Sequence, residues 1–532
     1  MSSNLVAKMG YLSRFIFRLD RMRIAIWVIA LTFFTIIVPV AFKDLYGSQA
    51  ERDAMAQTMA NPAMTAMTGP ANLSNYTMGV MTAHQMLLMT AAVVGLMSIL
   101  LVTRHTRADE EDGRVEMIRS LPTGRLSYLN ASLFVITVTC LGLALINGFG
   151  LYALGIESMD LEGSLLYGTA LGATGLFFAG VTAIFAQLSD SSRGTIGYSI
   201  AVLLLAYLFR AITDVSNEAL SWISPLAWVT KAEVYDTNNW WPMVLILAAS
   251  LALYSLANYL HAIRDLDRGF LPSKPGKKSA SRFLQSPIGL ALRLQRTGII
   301  AWAIGMYVLG ASYGSVLGDL ESFFLDNETM KQLLQPEAGV TLLEQFIPML
   351  MIVISLLATI PPVMAINKLR GEEKKERLVH LLSRSVSRTK LLGSYFIISI
   401  INGFVMISLA AFGLWSVGTT VVEDGLSFEM IFTAALSYYP AMLVMISVAV
   451  LLIGIFPRLT GFIWLYVLYS FMVLYLGGLF QFSDWVGNIS PFGYVPQTPI
   501  EDFSIVPLIL LSVVAMLIAI IGFVGFYKRD ME

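Results

Sequence analysis

Apolar residues fall in long stretches along this chain, parted by short polar segments, and the stretches show no strict alternation. A helix needs about 20 mainly apolar residues to cross a hydrocarbon layer of roughly 30 Å. About twelve stretches are long enough. In the first half they lie near Ile24 to Phe42, Gln85 to Thr103, Ala131 to Leu154, Leu165 to Gln187, Thr195 to Ile212 and Pro242 to Leu260. In the second half they lie near Ile299 to Leu317, Phe346 to Ile366, Leu391 to Trp415, Ile431 to Phe456, Gly461 to Phe480 and Ile505 to Tyr527. The period is helical, unlike the alternating strands of an outer-membrane barrel. The first stretch follows Lys8, Arg14, Arg18, Arg21 and Arg23, as a secretion signal would, but it is too long and lacks a small-residue cleavage site. It reads as an anchor.

Composition strengthens this picture. Of 532 residues, 56% are hydrophobic and only 13% are charged, against about 25% charged in an ordinary globular domain. The expected class is an all-α polytopic membrane protein. A net charge of −1 gives no sign of nucleic-acid binding. The lone Cys140 precludes an intrachain disulfide framework, and four unclustered His do not suggest a zinc site.

Charge sorts strongly along the chain. The basic segments are the amino terminus, Arg104 to Arg125, Arg193, Arg264 to Arg296, Lys368 to Lys390, Arg458, and Lys528 to Arg529, and they occupy every second loop. The loops between them carry mostly acids, such as Glu157, Asp160, Glu162, Asp319, Glu321, Glu423, Asp424 and Asp484. Positive residues stay on the cytoplasmic side, so both termini are expected in the cytoplasm of a cell-membrane protein.

The chain also repeats itself. RADEEDGRVEMIRSLPTGR (Arg107 to Arg125) aligns without a gap on RGEEKKERLVHLLSRSVSR (Arg370 to Arg388). Arg107 meets Arg370, Glu110 meets Glu373, Arg114 meets Arg377 and Arg125 meets Arg388, at a constant separation of 263 residues (370 − 107). ISPLAWV (Ile223 to Val229) returns as ISPFGYV (Ile489 to Val495), and Arg264 and Asp265 return as Arg529 and Asp530. At the front, Arg18, Leu19, Arg21 and Trp27 return as Arg293, Leu294, Arg296 and Trp302. Two six-helix repeats are expected, over residues 1–263 and 286–532, with a cytoplasmic tether over 264–285. An even number of spans per repeat gives both the same orientation and implies a pseudo-two-fold axis along the membrane normal.

Arg107 to Leu121 reads as one short helix, with acids in its first turns, Arg119 near its end and Pro122 beyond it. Val115, Ile118 and Leu121 form one stripe with Met117 beside it, and Leu378, Leu381 and Leu382 echo it. Each half therefore offers an amphipathic element with a mixed-charge face. Two such elements suit a two-fold symmetric cytoplasmic partner.

At this point the chain resembles the ABC-2-type transporter permeases, in particular the fused twelve-helix permeases of tetronasin-type polyketide exporters. The resemblance rests on LSRFIFRLDRMR (Leu12 to Arg23), on EEDGRVEMIRSLPTGR and EEKKERLVHLLSRSVSR, and on SPLAWV and SPFGYV before each last helix. It implies that the segment after the second helix of each half docks on a nucleotide-binding subunit. On that basis the docking residues are Arg107, Glu110, Glu111, Arg114, Glu116, Arg119, Arg370, Glu373, Glu376, Arg377 and Arg384. The second half departs from the first in having Glu376 where Gly113 stands. The resemblance further implies export of a hydrophobic or amphiphilic small molecule, such as an antibiotic, by alternating access.

The chain carries no P-loop. The nearest approach, Pro275 to Ser279, has Leu271 at the position of the first Gly and Lys278 where Ser or Thr is required. No cofactor is expected in this chain; ATP and Mg would be bound by two copies of a separate ATPase subunit. An ion-coupled transporter of the major-facilitator type, the rival reading, needs ionisable groups at membrane depth. Few are found: Arg210 is placed to snorkel at the outer end of its helix, and His84 and Glu344 lie at corresponding outer ends. A non-transporting scaffold or sensor is a third reading. Candidate substrate contacts are Tyr207 and Phe209 on the fifth span and Trp464, Tyr466, Tyr469 and Phe471 on the eleventh. Met55, Met59, Met64, Met67, Met78 and Met81 crowd the first outer loop, where thioethers either bind Cu(I) or simply pack. The Ser224-Pro225 and Ser490-Pro491 pairs are expected to shape an outer turn.

Overall fold

The computed structural model describes residues 5–60, 62–265, 268–271, 278–319, 342–374, 376–383, 386–422, 425–475, 484–501 and 503–529. The chain folds as two compact units, Met1–Gly276 and Lys277–Glu532. Both are all-helical, as the long apolar runs predict, and no strand is found among the described residues beyond one isolated bridge, Ser189 to Leu271.

In the first unit the principal helices are α1 (Met9–Leu45), α2 (Met78–Glu111), the short α3 (Arg114–Arg119), α4 (Ser127–Tyr152), α5 (Leu161–Leu188), α6 (Ser192–Ser216) and α7 (Trp241–Ile263). The cap signals are local. The side chain of Asp160 accepts from the Gly163 N–H to start α5, and Ser191 does the same for Gly194 at the start of α6. The α5 helix lies at the centre and meets α4 backbone to backbone, because Gly168 has no side chain: a Cβ there would run into the Ala144 carbonyl.

The second unit repeats the order with α8 (Pro287–Val316), α9 (Leu342–Glu373), the short α10 (Arg377–Leu382), α11 (Arg388–Val421), α12 (Phe428–Ile455), α13 (Phe462–Tyr475) and α14 (Ile505–Lys528). Here the closest approach is between α8 and α11. A Cβ on Gly310 would strike the Ala410 carbonyl, and one on Gly413 the Tyr307 carbonyl.

Among the described residues, eleven of the twelve predicted spans are helices long and apolar enough to cross a membrane. The eleventh prediction, Gly461 to Phe480, is helical over the 14 residues Phe462–Tyr475, and the rest of it lies outside the described residues. The chain is a multi-pass membrane protein. The expected tether is not loose at its start: the Gly269 N–H donates to Asp190 at 2.5 Å, and the Leu271 N–H donates to the Leu188 carbonyl at 2.8 Å.

The single helix expected over Arg107 to Leu121 is two pieces. Residues 107–111 complete α2, which widens into a π-helical turn at Arg104–Ala108 and kinks at His105. Gly113 then takes a left-handed conformation (φ 72°), and α3 starts afresh. Glu376 takes the same conformation (φ 57°) before α10. The bend is thus duplicated, with a residue in the second unit that adopts it at a cost of about 1–2 kcal/mol.

Candidate functional site

The kinked end of α2 gathers charges that a polar surface helix would leave in water. Arg107 and Glu110, one helical turn apart, both point inward, and Arg107 is only 2% exposed. Its guanidinium donates to Glu110 Oε2 at 3.1 Å and approaches Asp190 at 3.8 Å. Arg264, just past the end of α7, donates to the same Oε2 at 2.7 Å. Arg125 closes the ring by donating to the Arg264 carbonyl at 2.7 Å. One buried carboxylate thereby ties the end of α2 to the end of α7. Such a group requires its partners, because a lone buried charge costs several kcal/mol.

The second unit builds this clamp again. Glu373, 4% exposed, accepts from Arg529 at 2.5 Å and pairs with Arg370 at 2.9 Å. Arg388 donates to the Arg529 carbonyl at 2.6 Å, and Arg370 donates to the Pro457 carbonyl at 3.2 Å. Of the residues that the repeat aligned, Arg107, Glu110, Arg125 and Arg264 build the first clamp, and Arg370, Glu373, Arg388 and Arg529 build the second. A second carboxylate in each half holds the short helix: Arg114 donates to Asp109 at 2.6 Å, and Arg377 donates to Glu372 at 3.2 Å. The Asp109 contact raises the Arg114 pKa above its ordinary value, so this link stays charged.

Beneath the clamp the halves part. In the first, His105 sits between two buried carboxylates, with Nε2 2.6 Å from Asp20 of α1 and Nδ1 2.9 Å from Asp109. The Tyr128 hydroxyl donates to Asp109 at 2.5 Å, and Arg104 lies 3.2 Å from Asp20. At the aligned positions of the second half stand Gln295 for Asp20, Lys368 for His105 and Leu391 for Tyr128. Lys368 pairs with Glu372 at 3.3 Å.

The residues predicted to dock a partner therefore divide. Arg107, Glu110, Arg370 and Glu373 are used up inside the clamps and present no free charge to a partner. Glu111 accepts from the Ser192 hydroxyl and N–H at the start of α6. Arg119 lies 3.4 Å from His261 Nε2. Arg114, Glu116, Glu376 and Arg377 stay exposed, and Arg384 lies outside the described residues. Exposed beside them are Met117 (67%) and Leu121 on the first half and Val379 (61%) on the second. Val115 and Leu378 point inward and seat each short helix. Leu121, expected on one stripe with Val115, faces out while Val115 is buried, because α3 ends at Arg119.

Toward the other end of the spans, most predicted contacts have internal partners. Tyr207 donates to the Met67 carbonyl at 2.8 Å, and its ring lies 4.9 Å from the Arg210 guanidinium. Arg210 does not snorkel. It is buried, paired with Asp214 at 2.7 Å and donating to the Ala66 carbonyl at 2.6 Å. Tyr466 and Tyr469 donate to the carbonyls of Ile489 and Val486, both at 2.7 Å. Phe209 and Trp464 are exposed. His84 is buried against Thr68, Gly69 and Tyr76, and Glu344 is half-buried at the start of α9. Met55, Met78 and Met81 are packed in the core, and no cluster of His, Cys, Asp or Glu able to hold a metal occurs among the described residues. Ser224 and Ser490 do shape their turns, donating to the Ala206 carbonyl at 2.7 Å and the Ser470 hydroxyl at 2.9 Å. Sequence reasoning gives Asp20, His105, Asp109 and Asp214 no role of their own. A His flanked by basic residues at the end of a span was the available signal for the first three.

The chain is similar to known proteins over nearly its whole length. The family model described as "Multidrug efflux system permease Rv1217c, C-terminal domain" matches residues 13–260 and 284–527. The "Multidrug efflux system permease protein Rv1217c" of Mycobacterium tuberculosis (strain ATCC 25618 / H37Rv) is 34% identical over 528 residues, covering 98% of this chain and 95% of the relative. The chain belongs to the Rv1217c-type multidrug efflux permease family.

Proposed function

We propose that this chain is the membrane subunit of an ABC-2-type exporter, which moves hydrophobic or amphiphilic small molecules out of the cell and is driven by two copies of a separate ATPase subunit. In this reading both termini lie in the cytoplasm, and ATP and Mg are held by the partner. The cargo class follows the relative's name, a multidrug efflux permease. One observation carries the drive: each half presents a short helix with exposed apolar and charged side chains on a base that is rigidly pinned. Met117 and Val379 are exposed on helices whose arginines, Arg114 and Arg377, are bonded to the buried ends of α2 and α9. A push on α3 passes through Asp109 to α2, and through the neighbouring Glu110 to Arg264 and α7. Contacts that differ between two states of the partner would then shift the populations of two states of the permease.

A co-purification and vesicle experiment tests this. A tagged chain from native membranes should bring down a protein with Walker motifs, and loaded vesicles should export an amphiphilic dye with ATP alone. Transport that ignores ATP and collapses with the proton gradient would instead establish the ion-coupled reading.

A further inference from the structure

The first five turns of α1 show a surface that neither water nor hydrocarbon suits. Leu12, Ile16, Asp20 and Ile24 form its buried side. On the opposite side Arg14, Arg18 and Arg21, at helical spacings of four and three, make one exposed stripe, and none has a hydrogen-bond or ion-pair partner among the described residues. Directly beside it runs a second exposed stripe, Tyr11, Phe15, Leu19, Met22 and Ile26. Water would leave the apolar stripe uncovered, and hydrocarbon would strand three guanidinium groups. Only the headgroup layer of a bilayer serves both at once, with apolar side chains among the acyl chains and guanidinium groups at phosphate depth.

We infer that this face of α1 binds anionic phospholipid headgroups of the leaflet in which the amino terminus lies, with Arg14, Arg18 and Arg21 as the phosphate-binding groups. Charge complementarity names the occupant. The stripe contains three cations and no acid, the one nearby carboxylate, Asp20, facing inward to His105 and Arg104. Guanidinium donates two parallel hydrogen bonds to phosphate, which a choline headgroup's own cation opposes. The aligned start of α8 has Arg293 and Arg296 but Gly289 in place of the third arginine (293 − 18 = 275; 14 + 275 = 289), so the first half carries the fuller site.

The test uses the full chain in nanodiscs of phosphatidylcholine with and without phosphatidylglycerol, followed by native mass spectrometry of the lipids retained on release. Wild type should keep phosphatidylglycerol in preference to phosphatidylcholine. The combined R14Q/R18Q/R21Q variant should lose that preference, at about fivefold in affinity per arginine, while the combined lysine variant keeps most of it. Equal retention of the two lipids by wild type overturns the inference, as does an undiminished preference in the folded glutamine variant. Should the glutamine variant not fold, raised salt on wild type decides: the preference must weaken as ionic strength rises, and a salt-independent preference overturns the proposal.

Discussion

In the first unit the carboxylate of Glu110 lies between Arg107 and Arg264, and in the second that of Glu373 lies between Arg370 and Arg529. Under the first clamp sits His105 between two carboxylates; under the second sits Lys368 against one. The matched parts are those where a change in one residue leaves another charge buried, and the unmatched parts are those where the partners changed together. Asp20 and His105 of the first half correspond to Gln295 and Lys368 of the second, so the second half lacks both that internal acid and the imidazole it faces.

Breaking the clamps should give the largest effect. Glu110→Ala leaves Arg264 buried without this counter-charge and leaves Arg107 with the more distant Asp190 at 3.8 Å, and a loss of roughly 3–5 kcal/mol is expected. Glu373→Ala should cost less, about 2–3 kcal/mol, because Arg370 and Arg529 are 13% and 14% exposed and reach water more readily. The chain provides its own reporter: Cys140 is its one cysteine and is buried in the first unit. A fluorogenic maleimide added during a thermal ramp should label Glu110→Ala at a clearly lower temperature than Glu373→Ala. Equal shifts would mean that the two clamps do not act on their own units.

The next contrast lies beneath them. His105→Ala should cost about 2–3 kcal/mol, since it removes two hydrogen bonds to buried carboxylates. Lys368→Ala should cost about 1 kcal/mol or less, because its side chain is 31% exposed and the pair is partly screened. His105→Lys would give the first half the second half's cation. It should be tolerated better than alanine in the same labelling ramp; a lysine as harmful as alanine would show that the imidazole's two-sided geometry matters more than its charge.

Smaller still, and opposite in sign, are the effects at the bend. Gly113 is left-handed with nothing within 4 Å of the place a Cβ would take, so Gly113→Ala costs only the backbone strain, about 1 kcal/mol. Glu376→Gly relieves that same strain, and a gain of about 0.5–1 kcal/mol is expected. Thermal unfolding of both variants should therefore move in opposite directions, and parallel movement would mean that the two bends are not equivalent.

These contrasts explain what was and was not legible in the sequence. The spans were, because hydropathy over 20 residues is a local property. The duplication of Arg107, Glu110, Arg114 and Arg125 was too, but not the direction in which its acids point. Charged residues on a short amphipathic segment ordinarily face water, whereas here Glu110 and Glu373 are buried by arginines 154 and 156 residues away. No local pattern encodes such a pairing. Arg210 was misplaced for a related reason: its counter-charge, Asp214, is one turn along the same helix, but the carbonyls of Ala66 and Met67 that complete its shell come from the distant short helix Pro62–Thr68.

The smallest expected change in stability bears most on function. Met117 and Val379 are exposed and hold nothing in their own units, so Met117→Glu and Val379→Glu should each alter stability by about 0.5 kcal/mol or less. If α3 and α10 are contact surfaces for an ATPase, the same changes place a charge in an apolar contact and should reduce permease-stimulated ATP hydrolysis toward the basal rate. The two need not act equally. The first half exposes two apolar side chains, Met117 and Leu121, while in the second Val379 is followed by the exposed His380, so the first substitution should be the more damaging. Unchanged stimulation in the doubly substituted protein would remove the docking role from both short helices, while leaving the clamps behind them as purely structural ties.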